Sequence, residues 1–471
     1  MGDVLKKAYS ANDFRTNGHQ LIDMLANYLQ DIQSSEDPLT IRWEDHGRQL
    51  QFWQNDFDSP LITTPHHLVK NILDRSIHLH SSRAMGHQVS PPVPIGILFS
   101  MLSSFLNNGS AVYEMGMTSN VLEKIVTENL AQKLGYDKNA SGLITSGGSL
   151  GNLTALLAAR AFSTDVWSAG CGSDEKLAVM VSEEAHYSID RAVRIMGLGT
   201  EGIIKIPANE KFQMDTSLLE KYLEIATAEG KKVFCIVGSA CSTSTGSYDN
   251  LESIAAFAKK HNIWFHVDGA HGAAVVYSPK FKHLIEGIEK ADSVIIDFHK
   301  MMLCPALSTA IIFKRRADAY KTFLQQAKYL FADQDTEEWY HSGKRTIECT
   351  KHMNVLAIYS IMRMYGDDIF MQNVETLFGL AIEFAELIKS NERFELAYEP
   401  QSNIVCFRYP DGENPDNTNQ QILKYLLEDG RFYIVSTVIN GEFYLRVSIM
   451  NPLTTSEDLV DLIDIIQASV K

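Results

Sequence analysis

Short runs of apolar, β-branched residues alternate with amphipathic stretches in the middle of the chain. Four of these runs are typical of buried strands: KVFCIVGSA (232–240), IWFHV (263–267), SVII (293–296) and ALSTAIIF (306–313). The stretches at 250–260 and 281–291 have apolar residues at helical spacing. Repeated strand–helix–strand units predict an α/β fold with a mostly parallel sheet covered on both faces.

The segments before this pattern are mostly helical. Residues 11–32 carry an apolar stripe outside any strand–helix unit, so this predicted helix must bury one face on another element or another subunit. Residues 33–65 are polar and contain Pro38 and Pro60, which predicts an extended connector. Residues 66–77 predict one helix and residues 96–134 predict two. The loop at 81–92, which contains His87, is either a solvated connector or a wall of a substrate pocket.

The last part of the chain has a different pattern, with helices predicted at 374–390 and 419–430 and a strand at 402–410. Two alternating runs flank Asn440-Gly441, which predicts a β-hairpin. Thr454 and Glu457 have the spacing of a capping box for a final helix. We therefore expect an N-terminal helical dimerisation segment (1–80), a large α/β domain (81–355) and a small α+β domain (356–471).

Composition limits the possible partners and compartments. The 471 residues are 21% charged and carry a net charge of −16, which argues against nucleic acid or an anionic membrane as partner. The longest apolar stretch, 93–106, is too short to span a bilayer, and the N-terminus lacks an apolar signal core. The six cysteines form no C-x-x-C pair. We therefore expect free thiols in a reducing, cytoplasmic compartment and no metal site.

Two charged residues follow neighbouring strand runs. Asp268 ends WFHVD, and Lys300 follows SVII closely. Open α/β sheets bind their ligands at the C-terminal ends of strands. A lysine amine forms a Schiff base with an aldehyde, and a carboxylate holds a pyridine nitrogen protonated. These two residue types together predict a site for pyridoxal 5′-phosphate (PLP).

Two further motifs bear on this hypothesis. The turn at 146–149, SGGS, precedes a predicted helix, where glycines and free amides favour a phosphate group. The turn is neither GxGxxG nor a Walker P-loop, which argues against a dinucleotide-binding site and against a nucleoside-triphosphatase site. His186 lies near the start of another helix. Its role is either structural or, in a PLP site, stacking on the cofactor ring.

Taken together, HVDGA, DFHK, SGGS and SEEAHYS resemble the motifs of the group II PLP-dependent amino-acid decarboxylases, and the resemblance covers nearly the whole chain. It implies the aspartate-aminotransferase-like fold (fold type I), with a mostly parallel seven-stranded central sheet and a small C-terminal domain. It also implies a homodimer whose subunits exchange their N-terminal segments. The implied reaction removes the α-carboxylate of an L-amino acid and gives the amine and CO2.

The resemblance implies a role for each matched residue. Catalytic roles fall to Lys300 as the Schiff-base lysine, Tyr329 as a loop tyrosine that returns a proton to Cα, and His186 as the ring-stacking histidine. Arg446 would hold the substrate carboxylate, and His87 would also contact substrate. The implied cofactor contacts are Lys300, Asp268, Ala270, His186, Gly148, Ser149, Thr243 and His299, of which Gly148, Ser149 and His299 would face the phosphate.

The chain departs from the family pattern at two positions. Asp297-Phe298 stands where the family usually has Asn-Pro, and we assign Asp297 no phosphate contact because the two negative charges would repel. His271 replaces a usual aromatic residue. Both positions flank residues assigned to the cofactor.

Substrate choice is less constrained by the motifs. Residues 299–302, HKMM, look more like the glutamate and cysteine sulfinate branch than the aromatic branch, so an acidic substrate (glutamate, aspartate or cysteine sulfinate) is favoured. Aromatic amino acids and 2,4-diaminobutyrate remain open. Other open alternatives are a different PLP reaction, such as that of an aminotransferase or an aldolase-like lyase, and a non-catalytic dimeric binding protein. Intact Lys300, Asp268 and His186 argue against the last.

Overall fold

The computed structural model describes residues 2–35, 38–59, 64–170, 176–323 and 338–470. These residues form two compact units. The terminal unit combines Met1–His87, Glu383–Ala397 and Cys406–Lys471, and the central unit combines Gln88–Ile382 with Tyr398–Val405. No helix of the described part is both long and apolar enough to cross a bilayer.

The described residues contain sixteen α-helices. They are α1 Asp3–Ala8, α2 Ala11–Ser34, α3 His46–Asp58, α4 Pro65–Asp74, α5 Pro94–Leu106, α6 Tyr113–Lys133, α7 Gly148–Ser163, α8 Val166–Ala169, α9 Tyr187–Ile195, α10 Leu219–Ala228, α11 Leu251–His261, α12 Arg316–Lys321, α13 Val355–Tyr365, α14 Asp368–Ser390, α15 Pro415–Asp429 and α16 Ser456–Ser469.

The strands form two sheets. The seven strands of the central sheet are β1 Ser141–Thr145, β2 Lys176–Ser182, β3 Ile203–Ile206, β4 Lys231–Ser239, β5 Trp264–Asp268, β6 Ser293–Asp297 and β7 Thr309–Phe313. The four strands of the smaller sheet are β8 Glu395–Leu396, β9 Ile404–Arg408, β10 Val435–Ile439 and β11 Glu442–Ser448.

The central sheet is mostly parallel, as the sequence predicts. Its strand order is β1-β7-β6-β5-β4-β2-β3. Only β7 runs against its neighbours, β1 and β6. Every residue of β5, β6 and β7 is buried, in accord with their continuous apolar runs. The parallel strands β4, β5 and β6 end at one edge of the sheet, which brings Ser239, Asp268 and Asp297 together there.

The units do not follow the three segments expected from sequence. In the terminal unit, the amide of Asn451 donates to the carbonyl of Ser81 at 2.9 Å, and the Arg83 guanidinium pairs with Asp458 at 3.0 Å. These polar contacts tie the end of the N-terminal segment to α16 and the residues before it. The N-terminal and C-terminal segments therefore form one unit.

The other boundary also differs, because α13 and the first part of α14 belong to the central unit. Phe370 and Phe378 on α14 pack against Tyr277 and Phe281, with ring centroids 5.0 and 4.6 Å apart. Asn373 donates to the Met301 carbonyl at 2.7 Å. These contacts move the boundary from the expected position near 356 to a point within α14.

Three local predictions are wrong. The expected connector at 33–65 contains α3, whose N-cap Asp45 accepts a hydrogen bond from the Gly47 amide at 2.8 Å. The expected helix at 281–291 is two short 3₁₀ turns separated by Gly287, whose φ of +96° interrupts any helix. The capping box of α16 uses Thr455 and Asp458, one residue later than expected. The hairpin around Asn440-Gly441 is confirmed, and both residues have positive φ.

Candidate active site

A cavity of about 290 Å³ lies at the C-terminal edge of the central sheet, entirely within the central unit. All eight residues that the sequence assigns to the cofactor line it. The full lining is Ser146, Gly147, Gly148, Ser149, Asn152, His186, Ser188, Ser239, Cys241, Thr243, Asp268, Ala270, His271, Asp297, His299, Lys300 and Leu307. The fold therefore gathers residues in or just after β1, β2, β4, β5 and β6 into a single site.

The SGGS turn forms one wall of this cavity. Gly147 has a φ of +119°, a conformation that favours glycine, and α7 begins at Gly148. A Cβ atom at Gly148 would lie 3.2 Å from both carboxylate oxygens of Asp297, so a side chain there would crowd the cavity. The first turn of α7 leaves backbone amides without helical partners, which suits an anionic group such as a phosphate.

Asp268 is held by a set of donors at the end of β5. Its Oδ1 accepts from the Ala270 amide at 3.2 Å, and its Oδ2 accepts from Asn152 Nδ2 at 2.8 Å. Asp268 is 8% exposed to solvent and lines the cavity. Hydrogen bonds to an ionised carboxylate stabilise the charged form, which is the form needed opposite a protonated pyridine nitrogen.

A chain of hydrogen bonds extends behind Asp268 into the core. The Trp264 indole donates to Ser293 Oγ at 2.9 Å, and Ser293 Oγ lies 2.9 Å from His266 Nδ1. His266 Nε2 lies 2.9 Å from Asn152 Oδ1. Burial lowers the pKa of His266, so the ring is neutral near pH 7.

The donors in this chain all point toward Asp268. A carboxylate oxygen only accepts, so Asn152 Nδ2 donates to Asp268 and Asn152 Oδ1 is left as an acceptor facing His266. The neutral His266 ring therefore carries its proton on Nε2, which donates to Asn152 Oδ1, and its Nδ1 accepts from the Ser293 hydroxyl. Sequence reasoning missed Asn152, although it stands one helical turn after Gly148 on α7 and the spacing would have placed it on the cavity side.

His186 is the N-cap of α9, which agrees with its expected position at a helix start. Its Nδ1 lies 2.8 Å from Ser188 Oγ and accepts from the Ser188 amide at 3.3 Å, which leaves the proton on Nε2. Burial lowers the pKa of His186 more than the charges of Asp268 and Asp297 raise it. A neutral ring next to the cavity fits stacking on a heteroaromatic cofactor.

Lys300 lies just beyond β6 and faces Asp297, with 3.2 Å between Nζ and Oδ2. Asp297 is 3% exposed, and Thr309 Oγ1 donates to its Oδ1. Ser90 Oγ donates to the Lys300 carbonyl at 2.6 Å, which fixes the backbone behind the amine. The sequence reasoning excluded Asp297 from the phosphate on charge grounds, yet the structure places this carboxylate inside the cavity.

Three assigned residues fall outside the described part of the central unit. His87 and Arg446 belong to the terminal unit, where burial and then the positive charge of Arg446 lower the pKa of His87. Tyr329 falls in 324–337, outside the described residues. Roles for these three residues therefore stay predictions.

The residues of the cavity fit PLP. Lys300 supplies an amine for the aldehyde, Asp268 a carboxylate for the ring nitrogen, and the turn at Gly148 free amides for the phosphate. Burial raises the pKa of the Cys241 thiol to about 12, so this cysteine is a neutral wall of the cavity at neutral pH.

Comparisons with known proteins agree with this site. Residues 69–410 match the model of the pyridoxal-dependent decarboxylase conserved domain. An aromatic-L-amino-acid decarboxylase of Bacillus atrophaeus is 25% identical over 467 residues, covering 98% of this chain and 96% of that protein. An L-aspartate decarboxylase of Metarhizium robertsii is 28% identical over 349 residues, covering 74% of this chain and 70% of that protein.

A solved structure from Vibrio parahaemolyticus shares the fold. It is described as the glutamate decarboxylase domain of diaminobutyrate-pyruvate transaminase and L-2,4-diaminobutyrate decarboxylase. The TM-score is 0.86 at 23% identity, covering 100% of this chain and 96% of that one. With the family model matching most of the chain and the lysine–aspartate pair in one cavity, the protein belongs to the PLP-dependent amino-acid decarboxylases, which are carboxy-lyases.

Proposed function

We propose that this enzyme removes the α-carboxylate of an acidic L-amino acid, namely aspartate, glutamate or cysteine sulfinate, and releases the amine and CO2. The reaction type is supported by one observation: Lys300 and Asp268 line the same cavity in a member of the PLP-dependent decarboxylase family. The acidic preference is supported by the HKMM motif at 299–302 and by the similarity to an L-aspartate decarboxylase.

The roles of the chain's own residues follow from the site. When bound, PLP supplies an electron sink that stabilises the negative charge left on Cα as CO2 departs. Lys300 would hold the cofactor at its aldehyde carbon and release the product amine. Asp268, supported by the Ala270 amide and Asn152, would keep a proton on the ring nitrogen. His186 would lie against the ring, and Arg446 would orient the substrate by its carboxylate.

The test is a side-by-side measurement of amine and CO2 from a panel of L-amino acids, with D-enantiomers as controls. The panel contains aspartate, glutamate, cysteine sulfinate, 2,4-diaminobutyrate, tyrosine and tryptophan. We expect equal yields of amine and CO2, with the highest kcat/KM for one of the three acidic substrates. Keto acid without CO2 would contradict decarboxylation, and a preference for tyrosine or tryptophan would contradict the acidic assignment.

A second candidate substrate is L-2,4-diaminobutyrate. The solved structure that matches the whole chain is named for that substrate as well as for glutamate decarboxylase. Its side-chain ammonium carries the opposite charge to an acidic side chain, so the two candidates separate cleanly in the panel. A kcat/KM for 2,4-diaminobutyrate above that for every acidic substrate would favour this second candidate.

We also propose that Tyr329 is the acid that returns a proton to Cα. This role rests on the family resemblance of its position. Tyr329→Phe removes only the hydroxyl, so we expect unchanged cofactor binding and a fall in amine output by about a hundredfold or more. The measurement is the ratio of amine to CO2 in wild type and variant, with Tyr365→Phe as control. An unchanged amine output would remove Tyr329 from this role.

A homodimer completes the proposal. Helix α5 exposes six large apolar side chains between 37% and 67%: Ile97, Leu98, Met101, Leu102, Phe105 and Leu106. Helices α1 to α4 contain no buried residue, although α2 alone is 24 residues long. Exposed apolar surface of this extent marks an interaction site, and a second copy of the chain is the occupant we propose. The buried free thiols of Cys235, Cys241 and Cys304 agree with a reducing, cytoplasmic location.

Substitution of α5 tests the dimer. We expect Leu98→Glu combined with Met101→Glu to shift the protein from dimer to monomer in sedimentation velocity, because two charges would be desolvated in the interface. Val438→Glu, at a position 64% exposed on β10, is the control and should leave the mass unchanged. A double variant that sediments like wild type would exclude α5 from the interface, and a monomeric wild type would exclude the dimer.

A further inference from the structure

Asp297 places a second carboxylate in the cavity, close to the lysine. It is the last residue of β6, its side chain is 3% exposed, and its Oδ2 lies 3.2 Å from Lys300 Nζ. The decarboxylase family that the chain resembles usually has asparagine at this position. An amide there would carry no charge and would have a hydrogen to donate, so the substitution changes the electrostatics of this end of the site.

The carboxylate also lies against the turn that begins α7. Both of its oxygens are 3.2 Å from the point where a Cβ atom of Gly148 would be. A phosphate held by the free amides of this turn would therefore be a near neighbour of Asp297. Two anions at short range in a buried site repel strongly, and this repulsion favours a proton shared between them.

The groups that face Asp297 are few. The segment after β6 contributes Lys300 and His299, whose Nε2 is 3.6 Å from Oδ2. Strand β7 contributes only the Thr309 hydroxyl, and α7 contributes backbone at Gly148. His186, before α9, is close enough for the charge of Asp297 to act on it, but burial disfavours its protonated form. Lys300 is the one fixed positive charge within 4 Å of the carboxylate among the described residues.

We propose that binding of a phosphate-bearing ligand in this cavity takes up one proton from solvent, which a hydrogen bond between Asp297 and the phosphate then holds. The cofactor would consequently be held less tightly as the pH rises. This linkage is specific to the aspartate of this chain. It depends on the PLP assignment of the cavity and is independent of the substrate.

The test uses 4′-deoxypyridoxine 5′-phosphate as ligand, which has no aldehyde and so forms no covalent bond with Lys300. Titration calorimetry of the apoprotein between pH 7 and 9, in two buffers of different ionisation enthalpy, counts the protons taken up. 4′-Deoxypyridoxine, which differs from it only in lacking the phosphate, is the matched ligand. We expect the phosphorylated ligand to take up about one proton more than 4′-deoxypyridoxine in wild type. Equal proton counts for the two ligands would overturn the proposal, and this comparison requires no variant.

Two variants then locate the proton. In Asp297→Asn the amide donates the hydrogen bond without a titrating proton, so the extra uptake should vanish. One proton taken up on binding raises the Kd of the phosphorylated ligand about tenfold for each pH unit. Asp297→Asn should lack this contribution. His299→Gln should keep the extra uptake. Loss of the uptake in His299→Gln together with its retention in Asp297→Asn would place the proton on the imidazole and refute the role of Asp297.

Discussion

Lys300→Ala is expected to abolish amine release, with kcat falling by more than about a thousandfold. The amine is the group that would hold the cofactor covalently and that would exchange it with substrate, so no other side chain can replace it. Lys300 is the lysine among the described residues that lines the cavity. The variant should also leave the Asp297 carboxylate without its ion-pair partner.

The measurement is borohydride reduction followed by mass spectrometry of peptides. Wild type should carry the cofactor on Lys300, and Lys300→Ala should carry none. Lys300→Arg preserves the positive charge beside Asp297 and separates the electrostatic role from the covalent one, since it should be as inactive as the alanine variant. Lys321→Ala, at an exposed surface lysine, is the control and should behave like wild type. Cofactor fixed to Lys300→Ala would show that another lysine performs the role.

Asp268→Asn is expected to lower kcat by about a hundredfold or more, because the ring nitrogen would lose the negative charge that keeps it protonated. The effect should be graded along the hydrogen-bond chain behind it. Asn152→Leu removes one hydrogen bond to the carboxylate, which is worth about 1.5–3 kcal/mol, or roughly tenfold to a hundredfold. Ser293→Ala, two hydrogen bonds farther away, should have a smaller effect than Asn152→Leu.

The readout is kcat together with the 15N chemical shift of ring-labelled cofactor, which reports protonation of the nitrogen directly. We expect the shift of Asp268→Asn to move toward that of a neutral pyridine, with Asn152→Leu in between. A purely structural role of Asn152 would lower thermal stability and leave the shift at the wild-type value. Equal shifts in wild type and Asn152→Leu would therefore contradict the positioning role.

Local patterns in the sequence determined much of this protein. The β-branched runs around Asp268 and Lys300 are buried strands, as predicted. They could be predicted because a short apolar run is a property of neighbouring residues. The strand-end rule then placed both residues at one edge of the sheet, where eight assigned cofactor residues line one cavity. Failures were also local. Gly287 has a positive φ that its neighbours do not reveal, and the α3 helix was hidden in a polar stretch.

Only the tertiary structure decided which distant residues meet. Asn152 and Asp268 are 116 residues apart, and their hydrogen bond exists because α7 packs against β5 and β6. The sequence assigned Asp297 no phosphate contact because of its charge, and the order of the strands brings it beside Lys300, Thr309 and the Gly148 turn. The ion pair between Arg83 and Asp458 likewise joins the N-terminal and C-terminal segments of the chain. Strand order and packing are set by the burial of whole faces, so they are global properties that no window of the sequence contains.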